Sequence, residues 1–123
     1  MVDSVLPASQ TIDSLNLWCK ILLRGMQEAE FDLSTRQTAI LLSVYLGEEA
    51  QSVKTLSENL GFSKAAICRA VDVLCQYGLL KRRRDDADKR QVTLTKTIKG
   101  MVFLSDMADI IRDETNEKES VGA

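Results

Sequence analysis

The sequence predicts a mainly α-helical domain with one small β-hairpin, and three observations lead to this fold class. Apolar residues recur at the 3.6-residue period of an amphipathic helix through most of the 123 residues. Serines and glycines stand where these periodic segments begin and end. After Gly78 the period falls to 2, as in a strand, and it later returns to the helical value. A chain of this length is expected to form one domain.

The first two helices are predicted between residues 9 and 46, after a flexible lead-in at 1–8. The segment 9–28 is apolar on two sides, so this helix needs two burial partners. Ser34 and Gln37 have the spacing of a capping box, which predicts the start of the second helix. Gly47 lies just past its end. The predicted core stripe of the second helix is Ala39, Ile40, Leu42, Val44 and Leu46.

Two short helices joined by a tight turn are predicted next. Ser52 and Ser63 are their expected N-caps, and Gly61 and Gly78 are expected to end them. Gly61-Phe62 forms the turn, with the glycine supplying a positive φ. Two helices connected by so short a turn are typical of a helix-turn-helix. The predicted inward residues of this pair are Val53, Leu56, Leu60, Ile67, Ala70, Val71 and Leu74.

A β-hairpin and a final helix complete the predicted fold. The alternating segments 80–83 and 91–95 flank an acidic turn, with Val92 and Leu94 facing inward. Thr95 or Thr97 is the expected cap of a helix over 96–113, and 114–123 is expected to be a flexible acidic tail. The order of elements is that of a winged helix-turn-helix. The two flanking helices, 9–28 and 96–113, are both apolar on more than one face, so each needs more than one burial partner.

The composition excludes several functional classes. The chain has no histidine, which removes Ser-His-Asp triads, histidine general bases and almost every catalytic zinc site. Neither an enzyme, a metal site nor a cofactor is therefore expected. The chain shows no apolar run of membrane-spanning length and no signal-peptide pattern. Three cysteines without paired spacing predict reduced thiols in a cytoplasmic protein.

The formal net charge of −2 conceals an uneven distribution of charge. Residues 64–100 carry ten basic and four acidic side chains, a net charge of +6, whereas both ends of the chain are acidic. A solvated charged face is one interpretation of the basic run 81–84. Because the basic segment covers the second helix of the helix-turn-helix and the hairpin, we favour a surface that binds nucleic acid.

Double-stranded DNA is therefore the predicted partner. The second short helix is expected to enter the major groove, where cations reach guanine or phosphate and alanines approach thymine methyl groups. Hairpin arginines suit the flanking minor groove. Asp88 is expected to hold the Arg90 guanidinium through a bidentate contact. Serines at helix starts offer phosphate sites, with plain N-capping as the alternative. The predicted contacts are Ser63, Lys64, Ala65, Ala66, Cys68, Arg69 and Asp72 on the helix, Arg82, Arg84, Asp88, Lys89 and Arg90 on the wing, and Ser34, Ser52 and Lys54 for phosphate.

These residues also carry a resemblance to a known family. The segments that carry it are LSENLGFS at 56–63, VDVL at 71–74, Gly78-Leu79, and DKRQVTLT at 88–95 with Gly100. The stretch 33–100 resembles the MarR family of bacterial transcription regulators. The resemblance implies a repressor that binds a pseudo-palindromic operator as a homodimer, with Asp88 holding Arg90 in the minor groove. Cys68 departs from the family pattern, which has small hydroxyl residues there.

The resemblance also implies a dimer interface and a candidate effector. Family members end in two dimerising helices, whereas this sequence has one helical segment after the wing. The predicted interface therefore combines both flanking helices: Leu15, Trp18, Leu22, Met101, Leu104 and Ile111. A small molecule or an oxidant that modifies Cys19 is a candidate effector, although a packed cysteine is the favoured interpretation. The alternative function is a winged helix that docks on other proteins, which the acidic ends favour.

Overall fold

The residues that the structure describes form five helices and a two-stranded antiparallel hairpin, in the order predicted from the sequence. The computed structural model describes residues 8–84, 86–88 and 90–122, with side chains as far as residue 116. The helices are α1 (Ser9–Glu28), α2 (Thr35–Leu46), α3 (Val53–Leu60), α4 (Lys64–Gln76) and α5 (Ile98–Gly122), and the strands are β1 (Leu80–Arg84) and β2 (Val92–Lys96). The predicted lead-in lies almost entirely outside the described residues. The predicted fold class is confirmed.

The chain divides into two compact units. One unit comprises Leu33–Leu104, which contains α2, α3, α4, the hairpin and the first turns of α5. We call it the winged unit. The other unit comprises the segments 1–32 and 105–123, and so contains α1 and most of α5. We call it the helical pair.

The core of the winged unit is built around α4. This helix buries one face against α2 and α3, and the strands close the core from the other side. Full burial of a large aliphatic side chain contributes about 1.5–3 kcal/mol, so these residues hold the three helices together. The buried residues are Ile40, Leu41, Val44, Leu56, Ala66, Ile67, Ala70, Val71, Leu74, Leu79, Leu80 and Leu94.

The predicted core stripe of α2 was partly wrong. Leu41 is fully buried although it was not predicted to be, whereas Leu42 is exposed and Leu46 is 78% exposed. The helix therefore turns a face centred on Ile40, Leu41 and Val44 towards α4. Alternating apolar residues in the sequence allow more than one such face, and packing against α4 selects this one.

The hairpin is antiparallel, with Leu80 paired to Lys96, Arg82 to Leu94 and Arg84 to Val92. Both strands end one residue later than predicted. The backbone N–H of Leu94 also donates to the carbonyl oxygen of Gln51 at 2.8 Å, which attaches β2 to the segment before α3. The wing is therefore fixed to the helix-turn-helix through the main chain.

The helical pair is held by a close approach and an ion pair. A Cβ atom at Gly25 would lie 3.0 Å from Cε of Met107, so α1 and α5 pack closely there. Arg24 forms ion pairs with Glu28 at 2.6 Å and with the buried Glu114 at 3.4 Å. Its hydrogen bond to Glu28 lowers the pKa of that carboxyl group below its usual range.

The last helix is longer than predicted. We expected it to span 96–113 and to be followed by a flexible tail, but it begins at Ile98 and continues to Gly122. Thr97, one of the two candidate caps, accepts a hydrogen bond from the N–H of Gly100 at 2.9 Å. The extension has a tertiary cause, because Glu114, beyond the predicted end, is buried and bonded to Arg24.

Candidate nucleic-acid interface

The turn between α3 and α4 has the conformation expected of a helix-turn-helix. Gly61 has φ +76°, a left-handed value that favours glycine, and its N–H donates to the carbonyl oxygen of Ser57. The Ser57 hydroxyl donates to the carbonyl oxygen of Phe62 at 2.6 Å, and Ser63 caps α4. Side chains of α3 and the capping serine thus fix the direction in which α4 begins.

The outward face of α4 agrees with the prediction at most positions. Lys64, Ala65, Arg69 and Asp72 are exposed, and Cys68 is partly exposed. Ala66, another predicted contact, is buried in the core beside Ile67, so it offers little surface to DNA. The reason is the helical period: Ala66, Ala70 and Leu74 share the buried face.

The three helix-capping serines accept the same backbone hydrogen bond. Ser34 accepts from the N–H of Gln37, Ser52 from that of Thr55 and Ser63 from that of Ala66, each at 3.1 Å. The predicted capping box at Ser34 and Gln37 is confirmed. A hydroxyl group that accepts one such bond can still donate its own proton to a phosphate, although the Ser52 hydroxyl would first release the 3.4 Å bond that it donates to Thr55 Oγ1. The phosphate role of these serines stays a prediction.

The wing is joined to α4 by an ion pair that the sequence analysis did not predict. Arg82 Nη2 lies 2.6 Å from Asp72 Oδ1. Paired residues of an antiparallel hairpin share a face, so Arg82 lies on the face of Leu94, whereas Lys81 and Arg83 lie on the opposite face. The predicted DNA contacts Asp72 and Arg82 therefore contact each other.

The tip of the wing contains the predicted Asp88–Arg90 contact, with a different geometry. Asp88 Oδ1 accepts from Arg90 Nε at 3.2 Å and from the Arg90 backbone N–H at 3.1 Å. Both bonds are accepted by the same carboxylate oxygen, and only one of them comes from the guanidinium. The contact therefore differs from the bidentate carboxylate–guanidinium contact that the sequence predicts. The Arg90 side chain is 92% exposed, so its terminal nitrogens face solvent. Lys89 lies outside the described residues.

A groove of about 570 Å³ brings together three predicted residues from two separate segments. Ser52 and Lys54, at the start of α3, form one wall, and Arg90 belongs to the other. Glu58 is the acidic residue in its lining. The groove thus connects the start of α3 to the end of the wing, and two cations line it.

Arg36, which the sequence analysis did not select, lies beside the helix-turn-helix. The central carbon of its guanidinium is 5.1 Å from the centre of the Phe62 ring, within the range of a cation–π contact. Phe62 directly precedes Ser63, the N-cap of α4. Arg36 lies outside the basic segment 64–100, and its position in the first turn of α2 is the feature that marks it in the sequence.

The three cysteines carry free thiols in different surroundings. Cys19 is exposed on α1, whereas Cys68 and Cys75 are partly buried on α4. Burial raises the pKa of the Cys75 thiol, although the nearby Arg82 guanidinium opposes the shift. Cys75 is therefore a weak nucleophile at neutral pH.

Most of the predicted interface residues expose large apolar surfaces. On α1, Leu15, Trp18 and Leu22 are 49%, 61% and 51% exposed. Met101 and Ile111 of α5 are also exposed, and Leu104 is partly buried.

Within the described residues, no helix combines the length and the apolar character that crossing a membrane would require.

Comparisons with known proteins agree with this architecture. The model of the MarR family matches residues 31–91. Among solved structures, a mutant of MepR from S. aureus has a TM-score of 0.75 at 18% identity, covering 92% of this chain and 80% of that chain. The transcriptional regulator Tm0710 from Thermotoga maritima has 0.74 at 24% identity, covering 93% and 79%. The transcriptional regulator BldR from Sulfolobus solfataricus has 0.62 at 29% identity, covering 90% and 78%. No curated protein matches the sequence.

Proposed function

Because this chain belongs to the MarR family of DNA-binding transcriptional regulators, we propose that it binds a pseudo-palindromic operator as a homodimer and represses transcription there. One observation carries the proposal: the exposed basic residues of α4 and of the wing lie on adjoining elements. The Asp72–Arg82 ion pair connects α4 to the wing, and the groove beside Arg90 connects the wing to α3. These contacts link α4, the wing and the start of α3, which supports a continuous DNA-binding surface.

In the proposed complex, α4 lies in the major groove. An α-helix is about 10–12 Å wide with its side chains, and the major groove is about 12 Å wide. Lys64, Ala65, Cys68 and Arg69 would then approach the base edges, with Lys64 nearest the N-terminal end that enters first. Ser34, Ser52 and Lys54 would contact phosphates, because they lie at helix starts where N–H groups and the helix dipole attract anions.

The wing would lie over the flanking minor groove. The terminal nitrogens of Arg90 are exposed, and Asp88 holds its Nε. A narrow minor groove has a strongly negative potential that attracts an arginine side chain of this kind. Arg84 and Lys89 belong to the same proposed contact. Arg82 has a smaller role in this proposal, because Asp72 already neutralises its charge.

The proposed homodimer is supported by the exposed apolar face of α1. Leu15, Trp18 and Leu22 follow one another at spacings of three and four, so they line one side of the helix. Large exposed apolar patches are rare on monomeric proteins, and a second copy would cover this one. Light scattering is expected to give about twice the monomer mass of 13.7 kDa. A monomer at micromolar concentration would contradict the dimer, and Trp18→Lys is expected to produce one.

In this proposal, the dimer represses transcription by occupying the operator. A dimer with α4 and the wing in adjacent grooves covers the operator on one side of the duplex, and it excludes other proteins from the same bases. This is the simplest consequence of operator binding by a chain whose described residues form the winged unit and the helical pair.

The test is selection of bound sequences from a library of random duplexes, followed by affinity measurements at several salt concentrations. We expect two related half-sites whose centres lie about 10 base pairs apart, and a steep fall of affinity with salt. The variant Lys64→Ala/Arg69→Ala should lose the sequence preference. Failure to enrich any sequence, together with a flat salt response, would reject DNA binding and favour docking on a protein.

A further inference from the structure

We infer that Arg36 is a ligand for the DNA backbone and that Phe62 positions it. The inference rests on the proposed DNA-binding function and adds two residues to it. Arg36 belongs to α2, outside both the predicted recognition helix and the wing. The contact that joins it to the interface is the 5.1 Å approach of its guanidinium to the Phe62 ring.

The backbone of Phe62 is held by its neighbours. Gly61 turns the chain at φ +76°, and the Ser57 hydroxyl holds the Phe62 carbonyl oxygen at 2.6 Å. A guanidinium packed on an aromatic ring keeps its planar set of N–H donors available at its edge. Phe62 therefore acts as a platform that restrains the long arginine side chain next to Ser63, without using its hydrogen-bonding groups.

The electrostatics of the winged unit point to an anion at this place. The first turns of α2, α3 and α4 contain Arg36, Lys54 and Lys64, and none of these turns contains an acidic residue. A helix dipole disfavours cations at its N-terminus and favours anions there. Each of these three helices therefore begins with a cation at its positive end, and an external anion bound there would stabilise that arrangement. The phosphate groups of DNA are the anions that α4 would meet.

Phosphate contacts carry no base information, and this property distinguishes the inferred role from base recognition. Loss of the Arg36 contact should weaken binding by the same factor on every duplex sequence. It should also release fewer counterions, which lowers the steepness of the salt dependence by about 0.9 for each contact, or about 1.8 for a dimer.

The experiment measures affinity by fluorescence anisotropy at several salt concentrations. The probes are the duplex that the wild-type chain selects and a scrambled duplex of the same length. The variants are Arg36→Gln, Arg36→Lys, Phe62→Leu and the double variant Arg36→Gln/Phe62→Leu. Arg112→Gln is the matched control, because Arg112 is an exposed arginine of the helical pair. Circular dichroism checks that each variant is folded.

We expect Arg36→Gln to reduce the salt dependence and to weaken both duplexes equally, whereas Arg36→Lys keeps most of the salt dependence. Phe62→Leu should weaken binding about twofold to fivefold, the range of an exposed cation–π contact, and should have no further effect when Arg36 is already glutamine. The control Arg112→Gln should match the wild type.

Two results would overturn the inference while wild-type DNA binding stands. An Arg36→Gln variant with unchanged affinity and salt dependence would remove Arg36 from the interface. A Phe62→Leu effect of the same size with and without Arg36 would remove the positioning role. Failure of the wild-type chain to bind either duplex would instead reject the proposed function itself.

Discussion

The hydroxyl group of Tyr45 donates a hydrogen bond to the carbonyl oxygen of Leu79 at 2.8 Å. The same hydroxyl accepts a hydrogen bond from the backbone N–H of Thr97 at 2.9 Å. It therefore joins α2 to the residue before β1 and to the residue that caps α5. Gly100 packs directly against this point, where a Cβ atom would overlap both the Tyr45 hydroxyl and the Leu79 carbonyl.

The first prediction concerns the sign of the stability change in Gly100→Ala. Alanine is about 1 kcal/mol better than glycine inside an exposed helix, so helix propensity alone predicts stabilisation. Because the added methyl group has no space, we expect the opposite, a loss of about 1–3 kcal/mol in the free energy of unfolding. Urea denaturation measures it. A variant more stable than the wild type would show that the winged unit adjusts easily at this position.

The second prediction concerns Asp72, the acidic residue on the outward face of α4. Asp72→Asn removes a negative charge and releases Arg82 from its 2.6 Å ion pair. We expect tighter binding to non-specific duplexes and a steeper salt dependence, by at most about 0.9 for each protomer. Asp109→Asn, which breaks an ion pair with Arg112 in the helical pair, is the control. Weaker non-specific binding by Asp72→Asn would indicate that Asp72 itself receives a bond from DNA or orients Arg82 towards it.

The third prediction tests the wing through Arg90 and Asp88. Arg90→Ala should weaken binding to the selected duplex by about 1–3 kcal/mol, the scale of one specific contact. Asp88→Asn retains the arginine but weakens the acceptor of its Nε, so we expect a smaller loss. Titration of both variants against the same duplex measures the difference. Unchanged affinity of Arg90→Ala would show that the wing stays outside the minor groove.

The fourth prediction concerns thiol reactivity and pH. Burial raises the pKa of Cys75, so less of its thiolate is present at neutral pH, and alkylation should accelerate as the pH rises towards that raised pKa. Single-cysteine variants with serine at the other two positions allow each rate to be measured. Exposed Cys19 should react faster than Cys75. Because Arg82 lowers the Cys75 pKa, Arg82→Gln should slow Cys75 further. A Cys75 as reactive as a free thiol at neutral pH would contradict this account.

The start signals of the helices were predictable because they are local. Ser34 and Gln37 bond to each other across three residues, and Ser52 and Ser63 bond within their own helices. Gly61 has the left-handed conformation that its position in the sequence indicated. In each case the partners lie within one helical turn, so their spacing in the sequence already implies their distance in space.

Burial was less predictable than the boundaries of the elements. The predicted core stripe of α2 omits the buried Leu41 and includes the exposed Leu42 and Leu46, although the helix itself was correctly predicted. An apolar helix offers several faces of similar hydrophobicity, and the neighbouring element decides which face is covered. The end of α5 was misjudged for the same reason, since Glu114 lies in the continued helix beside Arg24.

The sequence by itself determined the class of the protein, the order of its elements and the segment that carries the positive charge. These properties depend on period, local hydrogen bonds and composition, which involve residues close together in the chain. The tertiary structure decided which charges remain available to a ligand. It pairs Asp72 with Arg82 across two elements and brings Arg36 onto Phe62 from a third. Both contacts join residues that only packing brings within reach of each other.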